Sequence, residues 1–311
     1  IGSDDAWTFR LQYNESSLDF LHRLLERHGL YYYFTSESTC SAIKFETAGS
    51  RGLISEAPIS LQKNDLAMLS ATRNTATDLR YKRSPVPEKI TLTDYGNGKS
   101  HFTNSERDND GDIDGPINVA VDVAEGLSGL QIKLDGLNLI NNAEATAFAG
   151  RLAIAYGLHG KKLNGRSDCA NIAPGYKIAV AAQAVLATEV SDNNFVIIRA
   201  MHEGYNAEYL DIDDSEHTSE PGYSNTFEAL QLTDEYTDYY PKLETPTPKI
   251  DAQIHATVES TRGPNNVYAD LDEYGRYKIQ FPFSADGADG TNSGWIRALS
   301  SYAGQDHGTH F

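Results

Sequence analysis

The sequence predicts a mainly β protein with some α, an α+β chain. Three observations carry the prediction. Short runs that alternate apolar and polar residues recur along the chain, as half-buried strands do. Tyrosine (18), glycine (25) and proline (11) are plentiful among the 311 residues, which suits strands and turns. Two long stretches place apolar residues at helical spacing.

Residues 7–13 alternate as a strand does. A helix is predicted over 17–28, with Ser16 as N-cap. Asp19, three residues on, acts as a capping-box analogue and sets a negative charge at the positive helix end. Leu18, Leu21 and Leu25 share one face with Leu24 beside them, and Gly29 provides the left-handed residue that closes a helix. The run Tyr31-Tyr32-Tyr33-Phe34 has strong strand character, and alternation puts at least one of its tyrosines in a core. A second strand is expected at 43–46. Residues 51–80 are mixed and resist assignment. Pro85 and Pro87 punctuate a boundary ahead of a strand at 89–94. Residues 118–123 and 130–134 also alternate. A second helix is predicted over 141–156, its face formed by Ala145, Phe148, Leu152, Ala155 and Tyr156, with Gly157 as its stop. Residues 176–182 and 195–201 read as strands.

Pro241, Pro246 and Pro248 mark an extended, semi-rigid spacer at 241–250. A small β unit comes next. Residues 267–271 and 277–281 flank the turn Asp272-Glu273-Tyr274-Gly275 as a hairpin would, Pro282 stops the second strand, and a Gly/Asp-rich loop at 286–294 leads to Trp295-Ile296-Arg297-Ala298-Leu299.

Composition narrows the function. The net charge is −18, with 44 acidic and 26 basic residues. That balance argues against a general nucleic-acid binder, which needs Lys and Arg to displace phosphate counterions, and against docking on anionic lipid. Twelve acidic residues and one basic residue, Lys242, fall between Glu203 and Glu244, and this run is expected to be a solvated face or loop. The two cysteines, Cys40 and Cys169, are two free thiols or one disulfide, not a framework. No basic-then-apolar leader opens the chain. Its longest uncharged apolar stretch, 178–188, is about half the ~20 residues a membrane helix requires. A soluble protein is expected, with any export taking a route that needs no signal peptide. The first residue, Ile1, points to a fragment.

Motifs that imitate chemistry fail on spacing. In the acidic segment 108–115, Asp110, Asp112, Asp114 and Gly115 approach a calcium loop with Asp110 as its first ligand, but the twelfth position is then Val121 where a bidentate carboxylate is needed. Gly98-Lys99-Ser100 resembles the end of a phosphate-binding loop, yet the required earlier glycine is Thr93. His307 and His310 could share a metal but have no third ligand close in sequence. No Gly-x-Ser-x-Gly elbow occurs. No catalytic, cofactor-binding or metal-ligating residue is therefore assigned, and no cofactor is expected.

The block from Tyr13 to Phe34 closely resembles the hub region of VgrG proteins, the spike-tip components of the bacterial type VI secretion system, which are related to hub and needle proteins of contractile phage tails. A second, distant block, Tyr268 to Pro282, resembles the opening hairpin of the VgrG OB-fold domain. Asn292 to Arg297 resembles the next strand of that domain, and Ala303-Gly304 with Gly308 to Phe311 resembles the segment after it. Ala173 to Lys177 and His202 to Gly204 match weaker hub features. Phe283-Ser284-Ala285 and Gly294 depart from the family pattern without removing a strand.

The resemblance implies phage-tail-hub-like β-barrel and α+β domains followed by a truncated OB-fold β-barrel. It places part of an α+β hub region at 1–80 with the first hub strands missing. A second hub β-barrel domain with one helix lies at 81–240, a linker at 241–250 and the N-terminal part of an OB-fold at 251–311. It implies a non-enzymatic homotrimer that docks on the secretion tube protein, carries spike-tip or effector proteins, and crosses a target cell envelope. No nucleic acid and no small-molecule substrate are expected as partners. Such a protein is assembled in the bacterial cytoplasm and then secreted or delivered into a target cell. A prophage tail hub, or a hub fused to an effector enzyme beyond residue 311, are the alternatives.

Overall fold

The computed structural model describes residues 10–36, 41–49, 59–63, 75–95, 116–137, 139, 142–180, 194–204, 223–233, 236–250, 253–260, 268–271, 276–283, 293–296 and 298–299. The chain forms two compact units. The larger comprises Leu21–Asn97 and Asn109–Pro246; the smaller comprises Ile1–Phe20, Gly98–Asp108 and Thr247–Phe311.

Helix α1 (Ser17–His28) starts as its sequence dictates. Ser16 Oγ accepts from the Asp19 backbone N–H at 3.1 Å and donates to the Asp19 carboxylate at 2.7 Å. Gly29 closes the helix with φ +68°. Strand β1 (Leu30–Ser36) then pairs antiparallel with β2 (Ser41–Thr47), with Tyr32 opposite Phe45 and Phe34 opposite Ile43. The predicted strand at 7–13 is not formed over its described part: residues 10–13 are irregular.

The larger unit is built on a closed six-stranded barrel. Its strands are β3 (Ile59–Lys63), β4 (Thr75–Arg83), β8 (Lys161–Ser167), β9 (Lys177–Val180), β10 (Asn194–Gly204) and β11 (Tyr223–Gln231). The order is β10-β11-β8-β4-β3-β9. All pairings are antiparallel except those of β3, which is parallel to β4 and β9.

Alternation sends Phe195 and Ile197 of β10 inward to Leu163, Ile178, Phe227 and Ala229. The intervening Val196 faces outward, directly opposite Leu230, and both join a separate core. Strand β8 is not assigned from sequence: its inward positions are Leu163, Gly165 and Ser167, only one of them a large apolar residue. A side chain at Gly165 would start 2.5 Å from the Phe227 ring and 2.7 Å from Leu79, so only glycine leaves room for that ring.

The second layer is a three-stranded sheet, β5 (Pro87–Tyr95) between β6 (Pro116–Asp122), antiparallel to it, and β7 (Leu127–Asp135), parallel to it. Helix α2 (Asn142–His159) covers the sheet, packing Ala145, Phe148, Ala149 and Leu152 against Ile90, Leu92 and Ile117. Gly157 does not stop this helix. It lets Tyr236 approach: a Cβ there would overlap the Tyr236 hydroxyl, and the helix runs two residues further before Gly160.

In the smaller unit, β12 (Thr257–Val258) pairs antiparallel with β13 (Ile279–Gln280). Of the predicted hairpin of 267–271 with 277–281, the described residues show a bridge from Leu271 to Tyr277, and Tyr277 also bridges Ile296. Lys278 lies 5.0 Å from the Trp295 ring centre, and Ser293 Oγ accepts from the Ile279 N–H at 2.8 Å.

Candidate assembly surfaces

The β1–β2 hairpin has two unlike faces. On the inner face Tyr31 and Tyr33 are buried and join Leu158, Val196, Leu230, Leu232 and Tyr236 in one core. Tyr31 meets Tyr239 edge-on with ring centres 4.9 Å apart. Burial, then the nearby Asp238 and Glu46 carboxylates, push the Tyr31 phenol well above its ordinary pKa, so it stays neutral.

On the outer face Phe34 is 62% exposed, Ile43 53% and Phe45 56%. The half-buried Tyr32 is held in place: its hydroxyl lies 2.7 Å from His22 Nε2, and its ring contacts Phe34 and Phe45 at 5.8 and 5.7 Å. The apolar face is thus fixed from behind by a core and from the side by α1.

A second feature is the segment 236–246, which is tied down along its length. His159, at the C-terminal end of α2, is buried with Nε2 3.1 Å from the Tyr240 carbonyl. Burial first, then the Lys242 ammonium, lower its pKa to about 3, so the ring is neutral and donates to that carbonyl. Lys242 lies 5.2 Å from the Tyr156 ring centre. The Glu26 carboxylate of α1 accepts three hydrogen bonds, from the Glu244 N–H, the Thr245 N–H and the Thr245 hydroxyl, at 3.0, 3.0 and 2.7 Å.

The acidic run that ends here is not uniformly solvated. Asp238 is buried and accepts from the Tyr239 N–H at 2.8 Å, and Glu228 pairs with Lys162 at 2.5 Å.

Among the described residues of this unit there are cavities of about 110 Å³ at two places. One lies between the hairpin and β10, lined by Tyr31, Tyr33, Ile197 and Tyr239. The other holds Lys161, whose ammonium is 2.6 Å from the Glu125 carboxylate. The first offers tyrosines and apolar side chains, the second a cation matched by its own carboxylate.

The sequence-level candidates fall elsewhere. Asp108, Asp110, Asp112, Asp114, Gly115, the Gly98-Lys99-Ser100 segment, His307, His310 and Cys40 all lie outside the described residues. Cys169 is a buried free thiol in the barrel core. Among the described residues no group of three or more His, Cys, Asp or Glu could hold a metal ion, and no helix is long and apolar enough to cross a membrane.

Sequence reasoning missed the apolar outer face, because alternation says which residues share a face but not which face is covered. It also missed the anchoring of residues 236–246, although the run of Tyr236, Tyr239 and Tyr240 was a signal for packing.

Known proteins fit this architecture. The family model for the phage tail baseplate hub (GPD) matches residues 2–208. The chain is 25% identical to the actin cross-linking toxin VgrG1 of Vibrio cholerae, over 96% of this chain and 25% of that protein. It is 25% identical to the type VI secretion system spike protein VgrG4b of Pseudomonas aeruginosa, over 98% of this chain and 37% of that one. The chain therefore spans about a quarter to two fifths of these curated relatives. Among solved structures it matches the E. coli c3393 protein, a component of the type VI secretion system with structural similarity to T4 bacteriophage tail proteins gp27 and gp5. That match has a TM-score of 0.52 and 20% identity and covers 92% of this chain and 55% of that one. With barrel, helices and hairpin in place and two thirds of its length matched, the chain belongs to the phage tail baseplate hub family, with VgrG spike proteins as relatives.

Proposed function

We propose that this chain is a structural spike or hub component of a type VI secretion system. Three copies form a ring around an axis, dock on the secretion tube protein, and travel with effector cargo through a target envelope. The observation that carries the reading is the similarity to VgrG spike proteins along nearly the whole chain. A closed barrel braced by a helix-covered sheet supplies the stiffness such a part needs. The role assigned to this stretch is mechanical and not catalytic. It is assembled in the bacterial cytoplasm and leaves with the spike.

A second reading, the baseplate hub of a prophage contractile tail, is favoured by the family model itself. Deleting the gene separates the two. Loss of tube protein from the culture medium, with no change in phage-tail particles, supports the secretion spike. Loss of tail particles with unchanged tube protein export supports the prophage hub. Unchanged export and unchanged tails overturn both.

A further inference from the structure

We propose that the outer face of the β1–β2 hairpin is a contact surface for a second copy of this chain; the proposal rests on the ring-forming hub reading above. The face is built from the cross-strand pairs Tyr32–Phe45 and Phe34–Ile43, flanked by Leu30–Thr47. None of these six residues is charged, although 23% of the chain is. The opposite face of the same hairpin carries Glu46 and Lys44 beside the buried Tyr31 and Tyr33. Apolar side chains are thus turned outward on a ribbon whose other side already has a core.

Charge selects the occupant. Two copies that each carry −18 repel wherever carboxylates meet, so they come together most readily through a neutral face. A cationic partner would instead be drawn to the acidic surface and would gain nothing from this one.

Area agrees. Phe34, Ile43 and Phe45 at their observed exposures present roughly 350 Å² of apolar surface, taking 150–250 Å² for a large side chain. That is just under half of the ~800 Å² each partner contributes to a standard interface. The hairpin then supplies the apolar centre of the contact, and polar surroundings supply the rim. Around a threefold axis the contact is heterologous, so each hairpin meets a different surface of its neighbour.

Light scattering on the full-length protein with and without Phe34→Asp tests the assignment. The expected result is three chains per particle for the wild type and at least tenfold weaker self-association for Phe34→Asp, with an unchanged circular dichroism spectrum. A Phe34→Asp protein that assembles at wild-type concentrations overturns this surface while leaving the hub reading intact. A wild-type protein that stays a single chain at every concentration overturns the hub reading and this proposal with it. If Phe34→Asp does not fold, Ile43→Cys in a Cys40→Ser background gives an independent readout. Maleimide labelling at position 43 should slow at least tenfold in the assembled protein relative to the dissociated one, and equal labelling rates overturn the proposal.

Discussion

The two helices are held in opposite ways. Helix α1 has the sharper apolar stripe in sequence, yet none of its residues is buried, and Leu18 and Leu21 are 55% and 39% exposed. It is held by polar contacts. Within the larger unit His22 meets Tyr32, Glu26 takes three donors from residues 244 and 245, and Arg27 donates to the Leu137 carbonyl and pairs with Glu144 at 3.4 Å.

Helix α2 has apolar or small residues on nearly every side and buries nine of its 18, among them Phe148, Leu152 and Leu158. One face lies on the β5–β6 sheet and its last turn joins the hairpin core. The difference teaches that an apolar stripe marks a face available for burial, whereas burial needs a partner surface.

This contrast predicts a gradient of sensitivity. The largest effect is expected from Phe148→Ala in α2, which empties a core site. Urea denaturation should show a loss of about 3–5 kcal/mol. A loss below about 1 kcal/mol would mean that α2 is no better anchored than α1.

Next comes acid. The His159 pKa falls from 6.5 in the unfolded chain to about 3 in the folded one. The unfolded state therefore binds the extra proton between these values. The stability contributed by the neutral ring is complete above about pH 6.5 and is lost as pH falls toward 3. Between pH 7 and 5 the wild type should lose on the order of 2 kcal/mol, and His159→Gln should flatten that slope while keeping a donor for the Tyr240 carbonyl. Equal slopes in the two proteins would show that His159 does not set the acid sensitivity.

Gly157→Ala, which drives a methyl into the Tyr236 hydroxyl, should cost about 1–3 kcal/mol despite the better helix propensity of alanine. A stabilised variant would show that glycine is not required there. The smallest effect belongs to α1: Ser16→Ala removes the cap on the Asp19 N–H and should cost about 1 kcal/mol. If Ser16→Ala matched Phe148→Ala, the contrast between the helices would fail.

What was legible in the sequence was local. The Ser16 cap, the Gly29 stop and the strands at 31–34, 89–94 and 195–201 depend on neighbours in the chain, and the structure forms each within a few residues of its prediction. What was not legible depends on distant residues. Strand β8 drew no assignment from sequence, since its strand role rests on Phe227 of β11 filling the space over Gly165. Gly157 reads as a helix stop until Tyr236 packs on it. Strand β11 hides in an acidic run, although Asn225, Phe227, Ala229 and Gln231 alternate inward along it. The assembly face was half legible: the pattern pairs Tyr32 with Phe34, but only the tertiary packing shows which side of the hairpin remains open.

Sedimentation equilibrium of the full-length protein at micromolar concentration tests the trimeric hub most directly. The expected result is a mass of three chains that persists on dilution through that range. A mass of one chain at every concentration would contradict it.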